Sequence, residues 1–394
     1  MHKDPIVIVG MARTPIGKLL GELKTFSANE LGAHAISAAI LRANLQAEDI
    51  HEVIMGCVLP AGQGQAPARQ ASIKAGIPAS TPCTTVNKVC GSGMKSVMFA
   101  HDLIFSGSND VIVAGGMESM THAPHMLLKA RSGYRLGAGE LLDHMMLDGL
   151  EDAYEKGQVM GVFAEHAVKQ FGFTRKQQDD FAQSSFERAQ YATREKIFSH
   201  EVTPLSVQNK QGEQIIENDE HPFSVNPEKI PALSPAFMKD GTVTAGNSSA
   251  IADGAAALVL MRLSEAEKRG IKPIASIVGM SAHAKAPSEF TTAPIDAMRK
   301  LMKKLQWTVS DIDLFEINEA FAVVVLAAMH DLKIPREKVN VHGGGIALGH
   351  PIGASGARIL VTLLAALKFH GFKRGIASLC IGGGEATAVA VEMF

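Results

Sequence analysis

Four short stretches carry side chains suited to nucleophilic and acid–base chemistry. Cys90 opens a small-residue turn, Val89-Cys90-Gly91-Ser92-Gly93-Met94, and an apolar, helix-compatible run follows at Met94, Val97 and Met98. A thiol just ahead of a helix faces unpaired N–H groups and the positive end of the helix dipole, which favour the thiolate. The turn predicts a nucleophile; the plainer reading is a buried structural cysteine. His350 stands in Gly343-Gly344-Gly345-Ile346-Ala347-Leu348-Gly349-His350-Pro351, Asn318 heads Asn318-Glu319-Ala320-Phe321, and Cys380 heads Cys380-Ile381-Gly382-Gly383-Gly384. Taken singly, each has a plain alternative: a structural or surface histidine, a cap for an apolar helix beginning at Ala320, and an ordinary strand residue. The glycine run at 343–349 lacks a clean GxGxxG and an acidic partner about 20 residues on, which argues against a dinucleotide. Cys57 and Cys83 carry no motif and read as structural.

The elements that must position these groups alternate between strand and helix. Residues 5–9 read as a buried strand. Ser27-Ala28-Asn29-Glu30 is a capping box before an apolar-striped helix to about Leu45. Strands follow at 53–55 and 111–114, with a loop at Gly62-Gln63-Gly64 and a helix through Ala71 between them. This pattern predicts a parallel or mixed sheet covered on both faces. From about 121 to 245 the chain turns polar, with a helical stretch at 174–195 and four prolines from Pro222 to Pro235, and reads as an inserted loop domain. Strand character resumes at 255–260. The last third repeats the first: Asp49-Ile50 matches Asp311-Ile312, the Cys90 turn matches the turn around His350, and Val113 to Glu118 matches Cys380 to Glu385. A duplicated α/β half predicts a pseudo-twofold pair whose Cys90 and His350 turns meet at the centre.

Composition narrows the class. The 394 residues carry 46% hydrophobic side chains and a net charge of −2, which favours neither nucleic acid nor a membrane surface. The four cysteines form no CxxC, which argues against zinc and a disulfide scaffold and fits a reducing cytosol. The start of the chain lacks a basic segment ahead of its apolar run, and no stretch of about 20 apolar residues reads as a membrane span.

Together the four stretches resemble the thiolase family, its biosynthetic acetyl-CoA acetyltransferases most of all. The resemblance covers almost the whole chain, including Met11-Ala12-Arg13-Thr14-Pro15 and Thr242-Val243-Thr244-Ala245-Gly246-Asn247. It implies duplicated five-stranded mixed-sheet halves in a layered αβαβα arrangement. The N-terminal half would be 1–120 plus 246–270, the C-terminal half 271–394, and the loop domain 121–245 would bind CoA and make oligomer contacts. It implies condensation of two acetyl-CoA molecules through an acetyl-cysteine, in a homodimer or homotetramer that needs no metal or cofactor. Cys90 would be the nucleophile, His350 its base, and Cys380 the proton shuttle at the substrate α-carbon. One oxyanion hole would use His350 and an Asn318-held water; the other would use the backbone N–H groups of Cys90 and Gly382, the bare glycine backbone permitting close approach. Ser249 would meet the pantetheine arm. Leu150, Met160, Phe237, Ala245, Ala320 and Phe321 would line the tunnel or acyl pocket.

Three positions depart from the biosynthetic pattern: Val159 in place of a usual histidine, Phe290 in place of a frequent pocket methionine, and no arginine near His221-Pro222-Phe223. The stretch from Met126 to Gly161, with Lys129, Arg131 and Arg135, favours the biosynthetic group over its nearest rival, a 3-ketoacyl-CoA thiolase of fatty-acid degradation. A ketosynthase-type enzyme would typically pair its cysteine with two histidines. An inactive CoA-binding relative would not need Cys90, Asn318, His350 and Cys380 together.

Overall fold

The computed structural model describes residues 4–209 and 212–394. The first half runs β1 (Ile6–Arg13), α1 (Ala28–Arg42), β2 (Glu52–Gly56), α2 (Pro67–Lys74), β3 (Cys83–Val86), α3 (Ser92–Ser106) and β4 (Val111–Ser119). The insertion carries α4 (Met160–Phe171), α5 (Arg175–Arg194) and, among the described residues, two short antiparallel strand pairs, and β5 (Ala252–Arg262) returns to the first half. The second half repeats the pattern as β6 (Ala275–Ala284), α6 (Ala293–Leu305), β7 (Leu314–Ile317), α7 (Ala322–Leu332), α8 (Ile352–His370), β8 (Arg374–Ile381) and β9 (Glu385–Met393).

The strands lie in the order β7-β8-β9-β6-β1-β5-β4-β2-β3, and the two-residue strand Gly17–Lys18 pairs with β5. Within each half the two innermost pairings are antiparallel and the outer ones parallel. The halves join edge to edge where Val7 pairs with Ser276 and Ile8 with Ala275. Each half carries the same irregularity: a register shift at Gly10 on β1 and at Gly279 on β6. A Cβ on Gly10 would lie 2.3 Å from the Ala39 carbonyl of α1, and one on Gly279 would lie 3.0 Å from Leu301 of α6. The bulge brings each innermost strand against the first helix of its half.

Among the described residues, the first half places five strands in this order. The second has four, and its fifth place is reduced to one parallel bridge between Phe315 and Val339. The cause is local. Asn340 takes a left-handed φ of 46° and turns the chain away, and its side-chain amide supplies both hydrogen bonds to Ile317, at 2.8 Å each, that a strand would have made.

Alternation along the strands sorts the core into layers. Ile6 and Ile8, Leu258 and Leu260, and Ala377 and Leu379 face inward onto α3 and α8. Val7 and Val9 face α1 and α2 on one outer side, whereas Ile376 faces α6 and α7 on the other. The result is helix–sheet–helix–sheet–helix. α8 has 19 residues and a mean hydropathy of 1.5, enough in length and composition for a membrane span, but 89% of that stretch is buried between the two sheet faces. α5 of the insertion buries Phe181 and Phe186 in the outer layer of the second half.

The sequence matches of the first two motifs coincide with structural equivalence; the third is displaced. Val53 pairs with Val113, and its counterpart Phe315 pairs with Ile376, so Glu118 stands where Ile381 stands. Glu118 is fully buried, whereas Glu385 begins β9 and is half-buried.

Candidate active site

The nucleophile turn is strained and braced. Val89 has φ 45°, a rare conformation for a β-branched residue. Asn87 Oδ1 accepts its N–H at 2.9 Å, and Ser92 Oγ accepts from Lys88 N at 2.8 Å while donating to the Val89 carbonyl at 2.6 Å. α3 then begins at Ser92, two residues after Cys90. The expected thiolate is not what this environment favours. Burial pushes the Cys90 thiol up to about 11, and nearby Glu118 adds to the rise. The N–H groups of Gly382 and of Cys90 itself pull the other way without cancelling burial. A thiol so held needs a base to act as a nucleophile.

His350 is suited to be that base. Its own N–H donates to the Ala250 carbonyl at 2.9 Å, and α8 starts two residues later. Ser355 Oγ donates to the Pro351 carbonyl at 2.9 Å and lies 2.5 Å from His350 Nδ1. That arrangement directs the ring proton to Nδ1 and leaves Nε2 as the acceptor. Asn318 Nδ2 stands 3.4 Å from Nε2, and Arg358 donates to Asn318 Oδ1 at 3.5 Å, which turns the amide N–H side toward the histidine. Burial, with the Arg358 cation, lowers the imidazole to about 3. It is neutral at physiological pH and free to accept a proton.

Asn318 does not cap a helix. α7 begins at Ala322 with Phe321 as its N-cap, and the Asn318 amide is engaged at His350. Cys380 lies in β8 opposite Ala386, on the Ile376 face, fully buried among Phe163, Phe290, Ala320 and Phe321. Burial and the nearby Cys90 raise its thiol well above the usual range. Gly382 opens the β8–β9 turn. A Cβ there would meet only ordinary contact, 3.5 Å from Met160 Sδ and 3.6 Å from Val89 Cγ1. The glycine requirement falls on its neighbours instead: Gly383 and Gly384 have φ near 90°, a Cβ on Gly384 would lie 2.6 Å from two carbonyl oxygens, and one on Gly91 would lie 2.3 Å from Ile381.

A cavity of about 580 Å³ opens beside His350. Leu150, Met160, Phe237, Ala245, Ser249 and Phe321 line it, as does Val159. Ser249 donates its N–H to the Ala320 carbonyl at 2.9 Å, and Ala322 donates to Asn247 at 2.9 Å, so segments 247–250 and 318–322 form one wall. Ala320 and Phe290 do not line this cavity but stand behind it, Phe290 edge-on to Phe163 with centroids 6.5 Å apart. The phenylalanine supports the wall because its ring is turned into the apolar cluster. The sequence reading missed Met120, Met146, Ser248, Ile352, Lys18 and His221 on the lining. It also missed two buried carboxylates. Glu319 accepts from Ser185 Oγ, Asn340 Nδ2 and Ile346 N, pinning the glycine run ahead of His350. Glu118 accepts from Val58, Leu59 and Gly353 N, pinning the start of α8. Both acids sit inside quoted motifs, which was the available signal. Among the described residues, no cluster of three or more His, Cys, Asp or Glu side chains could hold a metal ion.

A half-buried thiol, a neutral histidine whose Nε2 is left as the acceptor, a second thiol near the first and an oriented amide define a cysteine enzyme built for covalent transfer with proton exchange. The chain belongs to the thiolase family: the thiolase N-terminal domain matches residues 6–264 and the C-terminal domain residues 271–393. The acetyl-CoA acetyltransferase of Cupriavidus necator is 46% identical over 98% of this chain and 99% of its own. A probable acetyl-CoA acyltransferase of Staphylococcus aureus is 46% identical over 99% of each. Among solved structures, an Ascaris suum thiolase in complex with coenzyme A superposes with a TM-score of 0.94 at 42% identity, covering 99% of this chain and 100% of that one. The Bacillus anthracis acetyl-CoA acetyltransferase superposes with 0.96 at 40% identity, covering 99% of each. The family confirms the layered fold expected from the sequence.

Proposed function

We propose that this thiolase is an acetyl-CoA C-acetyltransferase, catalysing reversible condensation of two acetyl-CoA molecules to acetoacetyl-CoA and CoA. The observation that carries it is the neutral, oriented His350 at the wall of a largely apolar cavity, in a chain 46% identical to an acetyl-CoA acetyltransferase over nearly its full length. His350 Nε2 takes the Cys90 proton as sulfur attacks the thioester carbon, and CoA leaves with a proton. The acetyl oxygen rests on the N–H groups of Gly382 and Cys90. Cys380 passes its own proton to His350 Nε2 and, as thiolate, takes an α-proton from a second acetyl-CoA, while the developing enolate oxygen accepts from that Nε2–H and from a water held by Asn318. The α-carbon attacks the acetyl group and releases the Cys90 thiolate, which takes a proton back from His350. Covalent intermediates divide the difficult step, and preset donors stabilise charge as it forms.

The same reading makes CoA thioesters the substrates and assigns no resident cofactor. Four free thiols fit a cytoplasmic protein. Self-association into dimers or tetramers is supported by the edge position of β3 and by exposed Leu127, Leu128, Leu136 and Leu141 in the insertion. The domain limits expected above, with 121–245 as the CoA-binding insertion, belong to this proposal, and the insertion's Leu150, Met160 and Phe237 on the cavity support it.

Chain length tests the substrate. Met160, Leu150 and Phe321 close the acyl end, and one methylene is worth about 1–3 kcal/mol in such a pocket. Thiolytic cleavage of acetoacetyl-CoA should exceed that of 3-ketohexanoyl-CoA by at least about tenfold in kcat/KM. Equal or better use of the six-carbon substrate would replace this reading with the degradative one.

A further inference from the structure

The active centre is divided between the two halves. Cys90 belongs to the first half, and Gly382, whose backbone N–H holds the thiol lower than burial alone would and on which a Cβ would stand 3.6 Å from Val89 Cγ1, belongs to the second. That donor sits on the tip of the β8–β9 hairpin, between Ile381 and Glu385, which pair with each other. Ile381 packs closely on Gly91 of the nucleophile turn, but Gly382 itself is not clamped: even a Cβ there would meet only ordinary contacts with Met160 and Val89. Gly383 has φ 90° and open space where a Cβ would stand, so the tip can move there, whereas Gly384 is seated against the Lys285 and Ala286 carbonyls. One ion pair crosses this boundary at the site itself: Lys88 Nζ bonds Glu385 Oε2, 297 residues apart in sequence. Lys88 is two residues before Cys90, and its backbone is part of the braced turn: its N–H goes to Ser92 Oγ at 2.8 Å and its carbonyl accepts from Gly91 N at 3.0 Å. Glu385 closes the base of the hairpin tip, whose Gly384 carbonyl accepts from Lys285 N at 2.7 Å.

We propose that the Lys88–Glu385 ion pair is a latch that holds the hairpin tip against the nucleophile turn, keeping the Gly382 N–H aimed at the Cys90 sulfur and at the oxygen of an acyl group carried on it. Both are positioning residues, and the proposal rests on the acyl-transfer reading above. The side chains are 22% and 36% exposed, so the pair is partly screened and its strength depends on ionic strength. Its energy is small beside that of folding, yet a displacement of the donor acts directly on the transition state.

The test uses K88M, E385Q and the charge-reversed double variant K88E/E385K, with two readouts. The first is acetoacetyl-CoA cleavage; the second is the alkylation rate of Cys90 by iodoacetamide, which reports the thiolate that the Gly382 N–H favours. Each single variant should lower kcat roughly three- to tenfold, with KM and Tm held, and should slow alkylation by a similar factor. The double variant should recover most of both. Raising the ionic strength should lower wild-type kcat and leave the single variants nearly unchanged. Wild-type rates in the single variants, losses that follow Tm, or a double variant no better than the singles would overturn the latch. A wild-type protein that alkylates at Cys90 but turns over no thioester would overturn the functional reading, while the alkylation comparison would still decide the latch.

Discussion

Cys90 shows how burial can outweigh a favourable dipole. Its place before α3 should draw the thiol toward ionisation, but removing it from water costs the charged form more than two N–H groups return. The two groups are therefore a protonated thiol and a histidine held neutral by the same burial, the pairing that the proposed mechanism uses. Cys380 is kept protonated for the same reason and needs its neighbour's chemistry to exchange that proton. Cys380→Ser should still be acetylated at Cys90 by acetyl-CoA without an acceptor, seen by peptide mass, because the first half-reaction does not use it. Carbon–carbon bond formation should fall by about 10²–10⁴-fold, since a hydroxyl is a far weaker acid than a thiol. Equal, small losses in both half-reactions would remove Cys380 from the proton path.

At the scale of elements, the decisive contact is the crossing of α3 and α8. Gly93 of α3 and Gly353 and Gly356 of α8 let the two helix starts meet backbone to backbone. A Cβ on Gly356 would lie 2.3 Å from Met94 N, and one on Gly93 would lie 2.8 Å from Ala357 N. These helices follow Cys90 and His350 directly, so their approach sets the distance between the thiol and the imidazole. Glu118 holds the α8 start in place from the first half. Gly356→Ala should destabilise the fold by about 1–3 kcal/mol, read as a lower urea midpoint, because backbone rather than a flexible side chain must move. The loss of kcat should exceed what the unfolded fraction explains. Full activity in a stable Gly356→Ala protein would show that the crossing tolerates a shift.

Across the whole molecule, buried charge ties the insertion to both halves. Arg13 of β1 is fully buried between Glu201 at 2.7 Å and Asp219 at 2.7 Å, and Thr362 of α8 donates to Glu201 at 3.3 Å. Breaking such a pair strands a charge, so the insertion is fixed where it walls the cavity. Buried histidines give the molecule an acid limit. His342 and His221 are lowered to about 4 and His350 to about 3, all first by burial. The unfolded chain protonates these groups near pH 6.5 and the native state does not. Their stabilising contribution is therefore present above about pH 6.5 and is lost as pH falls toward 4. Glu118 and Glu316, raised by burial to about 7 and about 8, act oppositely, losing their contribution as pH rises above about 4.5. In His342→Gln, the fall in Tm between about pH 7 and about pH 5 should be smaller than in the wild type. An identical fall would mean that His342 binds its proton equally in both states.

What was legible in the sequence was local and periodic. The capping box at Ser27, the strand alternation and the duplicated order of elements follow from short-range sterics and hydrophobic period, and they announced two similar halves. The chemistry-bearing types were equally visible, because a nucleophile, a base and an amide must be encoded as such. Tertiary structure decided their state. Whether Cys90 ionises depends on how much water the folded chain excludes. Whether Asn318 caps a helix or orients a histidine depends on Arg358 and His350, which are distant in sequence and meet it only across the packed layers. The third repeat match slipped because a four-residue displacement is invisible in Gly-Gly motifs and is settled by strand register. Phe290 left the cavity wall for the cluster behind it because a ring's direction is set by its neighbours rather than by its identity. Residue types determined what reactions were available; burial and long-range contact determined which proton each group holds and what it faces.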